Sequence, residues 1–179
     1  MRDINSFVET QTKIPFTMQN IYRMFDIIIG TREETFNRSL VEAIDRFTKH
    51  TDENRYHVEG WKTNSGHLLN RKFIVPYMVE MDYGNRYLKT RYNSYREHIE
   101  DLVKVICFLT GTNYDTTTTF ETFFRNINVC PNTWYSWGFF EIKGFKKGTL
   151  HIKFQNEQTW ATVNRAYAKI KGMVLPEKF

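Results

Sequence analysis

Between Phe139 and Phe154 the chain reads FFEIKGFKKGTLHIKF, which gathers Lys143, Lys146, Lys147, His151 and Lys153 on one short ribbon. Ammonium groups and an imidazole at this density suit phosphate oxygens, to which each can donate. The apolar positions Phe140, Ile142, Leu150, Ile152 and Phe154 alternate with Glu141, Lys143, His151 and Lys153, and a period of two predicts a pair of half-buried strands. A loop of Lys146, Lys147 and Gly148, with the glycine left-handed, pairs Phe140 with Phe154 and Ile142 with Ile152. The same register sets Glu141 opposite Lys153 and Lys143 opposite His151. Every pair then matches in kind, whereas a slip of one residue would turn the charges into the core.

The letters Glu141, Ile142 and Lys143 also spell the E-x-K tripeptide of a metal-dependent nuclease strand. There the carboxylate would hold Mg²⁺ and the ammonium would steady the water or the scissile phosphate. Such a site needs another carboxylate, from Asp115, Glu80, Asp82 or Glu121. A cross-strand ion pair between Glu141 and Lys153 accounts for the tripeptide without catalysis. In GWKTN, Trp61 offers a ring to stack on a base and Lys62 a cation for the backbone; an indole filling the core explains the same turn.

Several other chemistries lack their residues. The histidines show no HxxxH or HExxH spacing, and Cys107 and Cys130 stand apart, so neither a metal site nor a disulfide is expected. FDIIIG at Phe25 is followed by TREET, which lacks the glycines of a phosphate-binding turn. No G-x-G-x-x-G or GK[ST] occurs, and no cofactor is expected.

The net charge of +5 is unevenly placed: residues 1–140 balance 17 basic against 17 acidic side chains, while residues 141–179 hold 8 against 3. A second basic stretch carries Lys62, Arg71, Lys72, Arg86, Lys89, Arg91 and Arg96 against only Glu80 and Asp82. Localised positive charge fits a polyanion, and lysines on exposed strands also keep sheets soluble.

These side chains need elements to position them. With 179 residues, 41% apolar and 16% aromatic, the expectation is one domain over residues 1–179 with a full core. No apolar run reaches a membrane span and the start MRDINSFVETQTK lacks a signal-peptide core, so a cytoplasmic protein without a membrane partner is expected. Ile21, Tyr22, Phe25, Ile28 and Ile29 predict a buried helix stopping at Gly30; Thr31 and Glu34 then cap a second helix along Phe36, Leu40, Ile44 and Phe47, giving a helical hairpin. Two or three short strands follow, of which RKFIVPY is the most strand-like, with Pro76 at an edge or strand end. Ser94 and Glu97 cap a helix running to Gly111, with Glu100 and Lys104 paired on its wet side. Phe120, Phe123, Phe124 and Ile127 mark a short helix, and Trp160, Val163, Tyr167 and Ile170 a last one ending near Gly172. The sum is an α+β domain: a helical hairpin and further helices on one face of a small, mainly antiparallel sheet with a C-terminal β-hairpin and final helix.

The segment YHVEGWKTNSGHLLNRKFIVPY, followed by WYSWGFFEIKGFKKGTLHIKF and a short final helix, resembles a bacterial family of unknown function found in mobile elements and phages. In longer chains that family is joined to a DNA adenine methyltransferase. Trp137, Phe140, Glu141, Phe145, Lys147, Gly148, His151, Lys153 and Phe154 carry the most specific part of the resemblance. It implies a methyltransferase on the same or a neighbouring chain and supplies no catalytic residues. The chain has neither an NPP[YF] or DPP[YW] motif nor a glycine-rich cofactor turn, so it is not a self-sufficient methyltransferase. The expectation is a non-catalytic accessory domain that meets DNA backbone through Lys143, Lys146, Lys147, His151 and Lys153, together with Lys62, Arg71 and Lys72, and with Trp61 as a stacking ring. Its rival is a protein-interaction module without nucleic-acid binding, anchored by Trp134, Tyr135 and Trp137.

Overall fold

A computed structural model describes residues 17–48 and 68–175. The chain divides into two compact units, Met1–Asn37 and Arg38–Phe179. Helix α1 (Met18–Thr48) belongs in part to each. Then come β1 (Lys72–Val75), β2 (Val79–Met81), β3 (Leu88–Thr90), α2 (Ser94–Thr110), a 3-10 turn (Tyr114–Thr116), α3 (Phe120–Asn126), β4 (Trp134–Trp137), β5 (Phe140–Gly144), β6 (Leu150–Phe154) and α4 (Glu157–Lys171).

The α+β class is as expected, but the helical hairpin is not found, because α1 runs unbroken through Gly30. Gly30 does not take the left-handed backbone that would end a helix. The Thr31 hydroxyl donates to the Ile27 carbonyl at 2.6 Å, one turn back, instead of capping a new helix. A mid-helix glycine costs only about 1 kcal/mol, too little to break so long an element. Tyr22, Phe25, Ile28 and Ile29, expected in the core, are 51–63% exposed in the first unit. Within the second unit Leu40, Ala43 and Ile44 are buried, and Phe47 meets Phe73 at 5.2 Å.

The main sheet has the order β1-β6-β5-β4, antiparallel throughout, and β2 pairs with β3 in a separate ribbon. Pro76 follows β1, an edge strand, where its missing N–H removes no ladder bond. The β5–β6 register is the expected one, Phe140 opposite Phe154 and Glu141 opposite Lys153. Its loop closes as Phe145 N–H donates to the Thr149 carbonyl and Gly148 N–H to the Phe145 carbonyl, both at 2.9 Å, with Gly148 at φ 93°. The Gly148 carbonyl then accepts from the N–H groups of Met78 and Val79, which moors the hairpin tip to the start of β2.

One face of the sheet is the core. Phe73, Phe140, Ile142, Leu150, Ile152 and Phe154 are buried there, with the Phe140 and Phe154 rings 4.9 Å apart. Side chains of this size contribute about 1.5–3 kcal/mol each on full burial. Phe120 from α3 meets Trp137 of β4 on this side at 5.2 Å. From α4, Asn164 is fully buried, and its amide accepts from Leu69 N–H at 2.9 Å and donates to the Leu69 carbonyl at 3.0 Å. Trp160 Nε1 donates to that carbonyl at 2.7 Å. These bonds compensate the buried amide and fix the backbone just before β1.

The cap of α2 sits one residue earlier than Ser94: Asn93 accepts from Arg96 N–H, and Gly111 at φ 70° ends the helix. The Glu100–Lys104 pair does not form. Lys104 reaches Asp101 at 3.1 Å, while Glu100 accepts from the Tyr114 hydroxyl at 2.8 Å and from Phe120 N–H, bridging α2 to the next turn and helix. Among the described residues no helix is long and apolar enough to cross a membrane.

Candidate functional site

Alternation along the strands leaves the other face of the sheet half-exposed, and the register sorts its side chains into two cross-strand rows. One row reads Lys72, Lys153, Glu141, Ser136, and the other Ile74, His151, Lys143, Trp134. The two basic stretches of the sequence therefore meet at the Lys72–Lys153 pair. Like charges directly opposite repel, and Glu141 on the far side of Lys153 takes its ammonium at 2.7 Å. Lys72 and Lys143, with Lys146 and Lys147 on the exposed loop, have no carboxylate partner among the described residues.

Two of these ammonium groups, those of Lys72 and Lys143, collect on an aromatic ring. Lys72 and Trp134 stand on opposite edge strands and lean across the face, bringing Lys72 Nζ to 5.9 Å from the ring centroid. Lys143 Nζ lies 5.7 Å from the same ring and 5.4 Å from that of Phe145. Such contacts offer about 0.5–1 kcal/mol at exposed sites. Phe145 in turn meets the His151 imidazole at 4.4 Å. Burial first, then the charges of Lys72 and Lys143, push the His151 pKa down to about 4, so the imidazole is neutral near pH 7.

Of the three rings expected as an exposed anchor, only Trp134 qualifies, at 40% exposure. Trp137 is buried and donates from Nε1 to the Thr118 carbonyl at 2.8 Å, while the Tyr135 hydroxyl accepts from Cys130 N–H at 2.9 Å. Arg71 lies just before β1 and reaches Glu157 at 3.5 Å, an exposed and weak pair. Lys62 and Trp61 lie outside the described residues.

The carboxylates named for a metal site are mostly held elsewhere. Glu80 takes Lys89 at 3.2 Å and Arg91 at 3.1 Å, and these partners hold its carboxyl below the usual range. Glu121 takes Arg96 and Arg125, each at 2.8 Å, and Asp82 accepts from the N–H groups of Arg86 and Tyr87. Among the described residues no three His, Cys, Asp or Glu side chains form a group able to hold a metal ion.

The sequence reading missed the conjunction of Trp134 with Lys72, although a signal for half of it was present. A two-residue turn at Gly138 and Phe139, with Gly138 at φ 52°, pairs Trp137 with Phe140 and therefore Trp134 with Lys143. The partnership of β1 with β6 has no such local signal.

Residues 2–173 match the model of a family described as a domain of unknown function, DUF4942. No curated protein and no solved structure matches the chain.

Proposed function

The chain belongs to that family of unknown function, and on this premise we propose that it is a non-catalytic accessory domain that holds DNA by its phosphates on the half-exposed face of the four-stranded sheet. The observation that carries the reading is the convergence of Lys72 and Lys143 on Trp134 with no carboxylate between them, beside the loop lysines Lys146 and Lys147. Ammonium groups held by a neutral ring give up little when a phosphate arrives. Association with a DNA methyltransferase, in a bacterial mobile-element or phage setting, rests on the sequence resemblance and completes the proposal.

Phosphate contacts release counterions, so the sign and size of the salt dependence are set. Four lysines, each neutralising one phosphate, give a log–log slope of about −2.8 on single strands and about −3.6 on duplex, or losses of roughly 50-fold and 150-fold in affinity between 50 and 200 mM salt. Anisotropy titrations of labelled duplex and single-stranded DNA over that range test this. Absence of binding to either form at low salt overturns the reading. In that event the interaction-module reading gains, and the exposed Tyr22, Phe25, Ile28 and Ile29 of α1 are the surface that favours it.

A further inference from the structure

We propose that the natural occupant of this face is single-stranded DNA, with a base stacked on Trp134 and the ammonium groups of Lys72 and Lys143 transferred from the indole to the flanking phosphates. This rests on the phosphate-binding reading above and goes beyond it by naming the form of the nucleic acid.

Three observations support the choice. The site is a strand face, not a helix or a protruding ribbon shaped for a groove, and the exposed part of its chemistry is a ring. Duplex bases keep their faces inside the stack, so an indole on a flat face has nothing to meet there; an unpaired base offers its whole π-surface. The rings continue beyond Trp134, since Phe145 and the neutral His151 lie against one another at 4.4 Å beside Lys143. Aromatic surface interleaved with cations is the composition of a single-strand platform.

Lys72 and Lys143 both approach one indole, at 5.9 and 5.7 Å, and so repel each other while sharing it. A base on the ring is worth more than either exposed cation–π contact, and a phosphate on each side relieves the repulsion. The transfer therefore leaves no charge unpaired. DNA rather than RNA is carried over from the phosphate-binding reading above, and the comparison with oligo-rU tests that choice.

The test uses the full chain with a labelled oligo-dT, a duplex of equal length, an oligo-rU and polyglutamate as a base-free polyanion. The wild type is compared with Trp134→Ala and Trp134→Phe, with thermal melts to establish that all three fold alike. The expected result is tighter binding of oligo-dT than of duplex, a loss of roughly 5- to 150-fold for dT in Trp134→Ala, recovery of most of it in Trp134→Phe, and a clearly smaller loss for duplex. Equal affinity for single strand and duplex with no effect of Trp134→Ala overturns the single-strand inference while leaving phosphate binding intact. Absence of binding to every nucleic acid overturns both. Tighter binding of oligo-rU than oligo-dT, or polyglutamate binding as well as oligo-dT, also overturns it.

Discussion

Lys89 of β3 and Arg91 just after it converge on Glu80 of β2 at 3.2 and 3.1 Å, and at the start of α2 Arg96 reaches Glu121 at 2.8 Å. On β1 and β5, Lys72 and Lys143 converge on an indole. The contacts on Glu80 and on the indole are of similar strength, since exposed ion pairs and exposed cation–π contacts both lie near or below about 1 kcal/mol. The difference appears when a phosphate arrives. Drawing a lysine away from Glu80 leaves a carboxylate facing the incoming anion; drawing one away from Trp134 leaves a neutral ring. Charge counted along the sequence makes the two regions alike, and cross-strand partners make them opposites.

The largest expected effect comes from removing the free cations. Lys72→Ala with Lys143→Ala deletes two phosphate contacts, lowering DNA affinity at 50 mM salt roughly 30- to 100-fold and making the salt slope shallower by about 1.5. Lys89→Ala with Arg91→Ala removes the same formal charge and is expected to cost less than about threefold. Similar losses from both pairs, measured by anisotropy, would erase the distinction between the regions.

A smaller effect of opposite sign sharpens it. Glu141→Gln releases Lys153 from its 2.7 Å ion pair into the row shared with Lys72 and is expected to raise affinity about fivefold to tenfold. Glu80→Gln changes net charge identically and is expected to gain less than about twofold. Equal gains would mean that overall charge alone governs binding.

The smallest effect concerns pH. With its pKa pushed down to about 4, His151 stays neutral from pH 8 to about 5.5, and binding is flat across that window as far as this group is concerned. Protonation below about pH 5 adds a cation among Lys72, Lys143, Lys153 and the anion Glu141, so binding tightens there. The unbound fold responds the other way. The unfolded chain takes the proton near pH 6.5 and the folded one only near 4, so stability present above pH 6.5 is lost as pH falls between those values. An NMR titration of the imidazole and melts of His151→Gln check both signs; a midpoint near 6.5 in the folded protein contradicts the burial of this side chain among cations.

Much of this surface was legible because a hairpin is a local object. Residues Phe140 to Phe154 set their own register through a glycine-closed loop, and matching of like with like across the strands fixed which side chains share a face. Helix ends at Gly111 and Gly172 were legible for the same reason, since a left-handed glycine is a local stop signal. Gly30 shows the limit of that signal: the same residue type with a helical backbone ends nothing. The seating of Lys72 beside Lys153 depends on residues about eighty positions apart, and Asn164 holding Leu69 in place is a condition no periodicity reveals. Nor does the sequence disclose that Gly144 is needed bare, although a side-chain carbon there would collide with Leu88 of β3.

The most direct measurement is amide NMR mapping of the full chain with oligo-dT at low salt. The expected result is perturbation concentrated on Lys72 and Ile74, Trp134, Lys143 through Lys147, and His151 through Lys153, with the Trp134 indole N–H among the largest shifts and β2, β3 and α2 little changed. Shifts centred on Lys89, Arg91 and Arg96, or no shifts at saturating oligonucleotide, would contradict nucleic-acid binding by the half-exposed sheet face.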